Sequence, residues 1–176
     1  MCFSCRDNTS LSYVDASNGG LKLENGVLFY HKKPYTGHLV SKYLDESPKS
    51  DIEYKDGRKI GFERHWYSDG RLSEERHYTK GIKTGIHKSW WKDGRPKFEY
   101  HFNEKGEFHG VVKEWYKSGR LYRYFNYTRG QEDGPQHLWK SDGTIKANYH
   151  VVHGERFGLI GLKKCYTVKG GQDELN

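Results

Sequence analysis

The sequence is poor in several residues on which small folds often depend, with one methionine, four prolines and three cysteines. Three cysteines are too few for a disulfide framework, and an odd number leaves at least one thiol without a partner in the chain. No apolar run approaches the ~18 residues that a membrane-spanning helix needs. Long aliphatic runs are absent as well, which argues against a helical core.

The apolar surface comes mainly from aromatic residues, which make up 15% of the chain. Aromatic side chains favour strands over helices. The 21 glycines predict many turns with positive φ. The net charge of +7 permits anionic partners such as nucleic acid, lipid headgroups or acidic proteins, and it equally fits a solvated, lysine-rich sheet face.

One unit of about 24 residues recurs along the chain. Its clearest marker is a glycine repeated at intervals of 24, 25, 24 and 24 residues, at Gly61, Gly85, Gly110, Gly134 and Gly158. Another glycine lies four residues before each of these. The first four are also followed nine residues later by a glycine, at Gly70, Gly94, Gly119 and Gly143. Trp66, Trp90, Trp115 and Trp139 keep the same step. Self-similarity at this period predicts a repeat architecture.

Each unit predicts one β-hairpin. In the first regular copy, 61–68 and 72–79 are strand-length segments rich in aromatic and alternating residues. Ser68-Asp69-Gly70 between them fits a three-residue loop that ends in a glycine with positive φ. This loop places Trp66 opposite Leu72. Continued along the strands, the register predicts the pairs Arg64–Glu74 and Phe62–Arg76.

This register predicts an aromatic ladder on one face of the sheet, with Phe62, Trp66, Leu72 and Tyr78 and their equivalents in later copies. The other face is expected to be more polar, although Tyr67, Trp91, Tyr116 and Tyr124 also lie there. A lone hairpin is not stable, so adjacent copies must stabilise one another. The predicted fold is all-β, an elongated and twisted antiparallel sheet of tandem hairpins.

The chain is expected to divide into three parts. Residues 1–20 form a flexible lead-in, 21–168 the repeat array, and 169–176 a disordered tail. The first copy is degenerate: Gly37 keeps the period, but Glu46 stands where the loop glycine is expected.

The recurring Gly-x-x-x-Gly, Trp-Tyr and Asp-Gly-Arg motifs resemble those of MORN-repeat variants. The whole-chain pattern, with Pro34-Tyr35-Thr36-Gly37 near its start, resembles bacterial YwqK-type antitoxins over roughly 23–161. The resemblance implies a non-enzymatic module that binds a protein partner, a toxin among the candidates, or that serves as a scaffold. MORN arrays are also associated with membrane phospholipids, so a peripheral membrane module is the alternative. Neither catalytic residues nor a cofactor come with the resemblance.

The candidate binding residues lie near the hairpin tips. One arginine per tip forms a ladder that could meet phosphates or acidic protein groups at regular intervals. A structural role in the turn is the competing interpretation, because Asp69 and Asp93 offset part of the charge. The predicted binding residues are Arg71, Arg95, Arg120, Tyr67, Trp91 and Tyr116. Nucleic acid is not expected, because the aromatic residues are needed for the core, and no small-molecule substrate is predicted.

Enzymatic and metal chemistry find little support in the motifs. The sequence has no nucleophile elbow, phosphate loop or paired-carboxylate signature, so an enzyme is not expected. Histidines at equivalent positions lie two strands, roughly 9.5 Å, apart and cannot share one metal ion. His77 and His87 could face each other, but cross-strand packing explains them better, and no metal or other cofactor is predicted.

The cysteines stand outside the repeat. Cys2-Phe3-Ser4-Cys5 before a polar segment resembles the remnant of a lipoprotein signal, which makes Cys5 the candidate lipid anchor. Free thiols, or a disulfide or soft-metal site that includes Cys165, are the alternatives, and the metal site would imply a metal-handling accessory protein. As written, no apolar signal region precedes these cysteines, which predicts a cytoplasmic protein. With an upstream signal peptide, the expectation becomes a membrane-anchored periplasmic or surface lipoprotein.

Overall fold

The computed structural model describes residues 12–161, in which every regular element is a β-strand. The strands are β1 (Tyr13–Asp15), β2 (Leu21–Glu24), β3 (Val27–Tyr30), β4 (Lys33–Pro34), β5 (Gly37–Lys42), β6 (Pro48–Lys55), β7 (Arg58–Trp66), β8 (Leu72–Thr79), β9 (Ile82–Trp90), β10 (Pro96–Phe102), β11 (Phe108–Trp115), β12 (Leu121–Thr128), β13 (Gln131–Trp139), β14 (Ile145–Val152) and β15 (Glu155–Leu159). The all-β repeat architecture is confirmed.

Twelve strands form one long, twisted sheet in the order β1-β5-β6 and then consecutively to β15. From β5 onward each strand pairs antiparallel with the next, whereas β1 is parallel to β5, so the sheet is mixed. Strands β2, β3 and β4 form a separate small sheet. Although β1 lies in the segment expected to be a lead-in, its central Val14 is buried in a cluster with Leu28 and Tyr35. Three residues are too few to produce a periodic pattern.

The predicted three-residue loop is present at one end of the hairpins. The Tyr67 amide donates to the Arg71 carbonyl at 2.8 Å, and the Gly70 amide donates to the Tyr67 carbonyl at 2.9 Å. These two bonds define a type I turn followed by a glycine bulge. The predicted positive φ is confirmed in all four copies, with values of 81°, 85°, 87° and 92° at Gly70, Gly94, Gly119 and Gly143.

At the opposite ends of the strands, consecutive hairpins are joined by two-residue turns. Lys80 and Gly81 have φ values of 52° and 83°, as a type I′ turn requires. Between β10 and β11 the turn is one residue longer, because the Asn103 amide donates to the Glu107 carbonyl across a three-residue loop. This extra residue accounts for the single interval of 25 in the glycine series.

The Gly-x-x-x-Gly motif combines a turn with a bulge. In the first regular copy, Gly57 completes a two-residue turn, and Gly61 lies where the register between β6 and β7 shifts. Gly61 has φ 59°, and a Cβ there would collide with the carboxylate of Glu53. The positive φ at this bulge explains the glycine, because the Glu53 carboxylate ends a flexible side chain that can move aside.

A second bulge corrects the predicted register. Trp66 does lie opposite Leu72, but the following pairs are His65–Glu74, Arg64–Glu75 and Phe62–His77. The predicted pairs Arg64–Glu74 and Phe62–Arg76 are therefore wrong. One unpaired residue follows the loop at the same place in every hairpin, and it reverses the side-chain alternation of one strand relative to the other. These bulge residues are Lys49, Ser73, Lys97, Tyr122 and Lys146.

The bulge divides the predicted aromatic ladder between the two faces. Phe62 is 37% exposed, whereas Tyr78, which was expected on the same face, is 6% exposed. The face that contains Tyr78 is the buried face. Its main cluster consists of Val112, Phe125, Ala147, Tyr149 and Val151, with Tyr100, Phe108, Tyr127 and Leu138 packed against it.

The opposite, polar face carries a row of alternating charges across six neighbouring strands. The row is Asp51, Arg64, Glu75, Lys88, Glu99 and Lys113. Arg64 Nε contacts Glu75 at 2.8 Å, and Glu99 forms ion pairs with Lys88 and Lys113 at 3.7 and 3.6 Å. Opposite charges on directly paired residues favour this register.

Candidate functional site

The six predicted binding residues lie in the loops at one end of the strands, which line up along one long side of the sheet. This loop edge consists of the five tip segments 43–49, 67–73, 91–97, 116–122 and 140–146. The arginines follow the loop glycines, and the aromatic residues precede the loops. Adjacent tips are two strands apart, about 9.6 Å from the usual inter-strand spacing. The period of the sequence equals one hairpin, and it therefore places equivalent residues at the same edge.

The arginines join each tip to the next. Nη1 of Arg71 donates to the Lys92 carbonyl at 2.9 Å, and Nη1 of Arg95 donates to the Lys117 carbonyl at 3.1 Å. Nη1 of Arg120 donates to the equivalent Ser141 carbonyl at 3.3 Å and also to the Asp142 carbonyl at 2.6 Å. All three arginines are exposed, and each such bond uses one of five guanidinium N–H groups. They fix the tip geometry and still present charge to solvent.

The aromatic residues before the loops form a second connection, which we call the tyrosine ladder. The hydroxyl groups of Tyr43, Tyr67 and Tyr116 donate to the carbonyls of Trp66, Trp90 and Trp139 at 2.8, 2.8 and 3.0 Å. Trp91 holds the equivalent position, but its buried Nε1 has no hydrogen-bond partner. The sequence analysis placed Tyr67 and Tyr116 here but missed their bonds to the next hairpin, for which the constant separation of 23 residues was the available signal.

At the third and fourth tips the bulge residue packs against the tyrosine ladder. Lys97 Nζ lies 5.0 Å from the ring centroid of Trp91, and Tyr122 meets Tyr116 edge-on at 5.1 Å. Lys97 and Tyr122 were absent from the predicted site, because the bulge that turns them toward these rings was not predicted.

A cavity of about 310 Å³ lies between the third and fourth tips. We call it the aromatic notch and define it by Trp91, Lys97, Tyr116 and Tyr122, which stand around it. Phe98, Tyr100 and Glu114 of the buried face line the same cavity. Trp91 and Tyr116 therefore lie on the buried face, and the expectation that they lie on the polar face is wrong. The Glu114 carboxylate is held by the Tyr100 hydroxyl and Arg123, both at 3.1 Å.

Charge is distributed unevenly along the loop edge. The first two tip segments, 43–49 and 67–73, contain two basic and three acidic residues. The last three contain seven basic and two acidic residues, a net charge of +5 out of +7 for the whole chain. The basic residues of these three tips are Lys92, Arg95, Lys97, Lys117, Arg120, Lys140 and Lys146.

The most perturbed carboxylate of the buried face belongs to Glu63. Burial opposes its ionisation, but hydrogen bonds from His65 Nε2 at 2.9 Å and Lys59 Nζ at 2.6 Å outweigh this and lower its pKa to about 2. Both oxygens of the carboxylate are engaged. All three side chains belong to β7, so these bonds lie within one strand.

The histidine pair considered for a metal site is separated by the sheet. His77 packs edge-on against Phe62 on the polar face, whereas His87 packs against Phe102 on the buried face. His87 Nε2 is also bonded to the His77 carbonyl at 2.9 Å. The prediction that the two rings could face each other is wrong. Within residues 12–161, no three His, Cys, Asp or Glu side chains are grouped as metal ligands.

Another cavity, with a volume of about 790 Å³, lies toward the N-terminal end of the sheet. Tyr13, Asp15 and Trp66 are among the residues that line it. The three cysteines, including the candidate lipid anchor Cys5, lie outside the described residues. Across 12–161, no helix has the length and apolarity to cross a membrane.

A scan against protein-family models and a search of curated proteins each found no match. The resemblance to MORN-repeat proteins and YwqK-type antitoxins therefore stays a hypothesis that rests on the motifs.

Proposed function

We propose that this protein is a non-enzymatic repeat module that binds another protein along its loop edge, as an antitoxin-like inhibitor or a scaffold. The observation that supports the proposal most directly is the arrangement of the arginines and aromatic residues. Three separate hairpins contribute the exposed Arg71, Arg95 and Arg120 to the loop edge, and the same three tips carry the half-buried Tyr67, Trp91 and Tyr116.

Two properties of this edge favour association. Arginine, tyrosine and tryptophan are enriched at protein interfaces and among the residues that dominate binding energy. The tips are also held in place before a partner arrives, because Arg71 and Tyr67 are bonded to the next hairpin. Preorganisation lowers the entropic cost of binding, and the positive charge accelerates encounter with an acidic partner.

Site-specific photo-crosslinking tests the proposal. A photoreactive amino acid replaces Lys117 on the loop edge or Lys83 near the two-residue turns, and crosslinked proteins are identified by mass spectrometry. We expect one stoichiometric protein partner to crosslink at position 117 and not at position 83. Equal crosslinking at both positions, or none at position 117, would refute the loop edge as the binding site.

The excess of basic residues on the last three tips supports a second candidate, a peripheral membrane module. Such a module would co-sediment with anionic vesicles, and added salt would abolish this binding. Acylation of Cys5 would add an anchor, which mass spectrometry of the protein from its native membrane fraction would detect. A third candidate, metal handling by the cysteines, predicts that a chelator increases the number of titratable thiols.

A further inference from the structure

We propose that the aromatic notch and its flanking basic tips bind an acidic polypeptide segment in the polyproline II conformation, with acidic residues at every third position and one aromatic side chain. This inference rests on the proposed function and identifies the chemistry of the partner. It concerns the tip segments 91–97, 116–122 and 140–146, and it assigns no role to the first two tips.

The size and walls of the notch suit one aromatic side chain. Its volume of about 310 Å³ lies at the lower end of the range for ligand sites. The rings of Trp91, Tyr116 and Tyr122 stand around it, and aromatic rings prefer edge-to-face or offset contacts with one another. A whole cofactor would exceed this space, whereas one phenyl or indole ring of a partner fits it.

The excess of basic groups on both sides of the notch favours negative charge in the partner, although Asp93 offsets part of it at one tip. Lys92 and Arg95 lie at the tip on one side, and Lys117 and Arg120 lie at the tip on the other. The first two tips have a net charge of −1, compared with +5 for the last three. An acidic segment is therefore directed to the notch and away from the N-terminal tips.

The spacing of the tips selects the conformation. Adjacent tips are about 9.6 Å apart, because two inter-strand steps separate them. A polyproline II segment rises about 3.1 Å per residue with three residues per turn, so every third side chain returns to the same face after about 9.3 Å. In a β-strand, residues three apart point to opposite faces and cannot meet successive tips. The twist of the sheet turns each tip relative to the last, which limits the match to a few tips.

The test uses a fluorescein-labelled peptide of 14 residues, with glutamate at every third position, proline between, and one central phenylalanine. A control peptide has the same composition but pairs its glutamates next to each other. We expect the regularly spaced peptide to bind about tenfold more tightly in fluorescence anisotropy, because only its carboxylates meet successive tips. Equal affinity for both peptides, or no binding of either, would overturn the inference.

Two pairs of charge reversals locate the site. Lys92→Glu with Lys117→Glu should weaken peptide binding about tenfold, because exposed lysines on two tips are inverted. Lys55→Glu with Lys83→Glu makes the same change in net charge at exposed positions near the two-residue turns and should leave the affinity within about twofold. Equal losses in both double variants would assign binding to general charge and overturn the proposed site.

Tyr122→Ser tests the notch itself. Serine occupies the equivalent bulge position at Ser73, so the fold accommodates it. This variant should lose the preference of wild type for the phenylalanine peptide over its serine-substituted version. A retained preference would show that the aromatic side chain binds elsewhere.

Two further probes separate the partner classes, namely vesicles with anionic lipid headgroups and a single-stranded oligonucleotide. Tighter binding of either probe, lost in the Lys92 and Lys117 double variant, would replace the acidic polypeptide as the ligand. Edge-specific crosslinking of a cellular protein without peptide binding would refute this inference alone. Failure of both would also remove the proposed function.

Discussion

Each ladder tyrosine joins one repeat to the next through a single hydrogen bond from its hydroxyl group. Tyr67 and Tyr116 each donate to a tryptophan carbonyl 23 residues further along the chain. A buried polar group without a partner costs about 1–3 kcal/mol. Trp91 breaks this series, because its buried Nε1 is unpaired.

We expect Trp91→Tyr to raise the free energy of unfolding by about 1 kcal/mol. The new hydroxyl can donate to the Trp115 carbonyl, as the neighbouring rungs do, and the unpaired indole N–H disappears. The smaller ring of a half-buried side chain offsets part of this gain. Urea denaturation measures the change, and Tyr67→Phe is the control, with an expected loss of similar size. A loss for both variants would refute a shared role for this position.

Glu63 makes the stability of the folded protein depend on pH in the acidic range. Its folded-state pKa of about 2 lies below the ordinary value of 4.5, so the ionised carboxylate stabilises the folded protein at neutral pH. That contribution is lost as the pH falls from about 4.5 toward 2. Glu63→Gln should cost about 2–3 kcal/mol at pH 7 and flatten the stability curve across this range.

Thermal melts at several pH values test the role of Glu63, and Glu104→Gln in an exposed loop is the matched control. The control should change little at any pH. If the acid dependence of the Glu63 variant equals that of the wild type, the hydrogen bonds from His65 and Lys59 do not set this part of the stability.

Each hairpin contains a turn that its residue types predict and a bulge that they do not. The Ser-Asp-Gly loop and its positive φ at Gly70 could be predicted, because few residues tolerate that conformation. The following bulge is filled by lysine, serine or tyrosine in different copies, for example Lys97, Ser73 and Tyr122. No residue type marks it, so the register could be predicted only as far as Trp66 and Leu72.

Among the turns opposite the tips, the one between β10 and β11 is longer by one residue, and shortening it tests whether that residue is needed. Removing Lys105 together with Glu104→Asn leaves an Asn-Gly pair, the preferred sequence of a two-residue type I′ turn. Phe102 should still pair with Phe108, because Tyr78 and Lys83 pair across a two-residue turn in the preceding copy. We expect the free energy of unfolding to change by less than about 1 kcal/mol.

Deleting Lys80 is the matched comparison for this shortened turn. The deletion leaves a single residue between strands that already have the shortest common hairpin connection, so the register should shift. The loss in free energy of unfolding should be several-fold larger than on removing Lys105. Denaturation of both deletion variants decides the question. A severe loss on removing Lys105 would mean that the longer loop is required by its surroundings.

At the scale of the whole molecule, strands contact mainly their hydrogen-bonded neighbours, and the larger of the two buried clusters lies toward the C-terminal half. The sequence period could predict that equivalent residues meet at one edge. It could not predict the aromatic notch, because Trp91 and Tyr122 each differ from their counterparts in other copies. Their packing depends on the bulge, and the positive charge of the last three tips likewise comes from individual positions.

Because each strand packs mainly against its neighbours, we expect that one whole hairpin can be removed without unfolding the others. Deleting 110–133 joins His109 to Gly134 and removes β11 and β12 as one repeat, so that β10 can pair with the former β13. We expect a folded all-β protein, because stability in such arrays is approximately a sum over repeats and their interfaces. The denaturant m-value should fall by about one-seventh, in proportion to the chain removed. Deleting only 110–121 removes one strand and reverses the direction of every later one, so that variant should not fold. Circular dichroism and urea unfolding compare the two deletions; an unfolded 24-residue deletion would show that the array depends on contacts beyond adjacent hairpins.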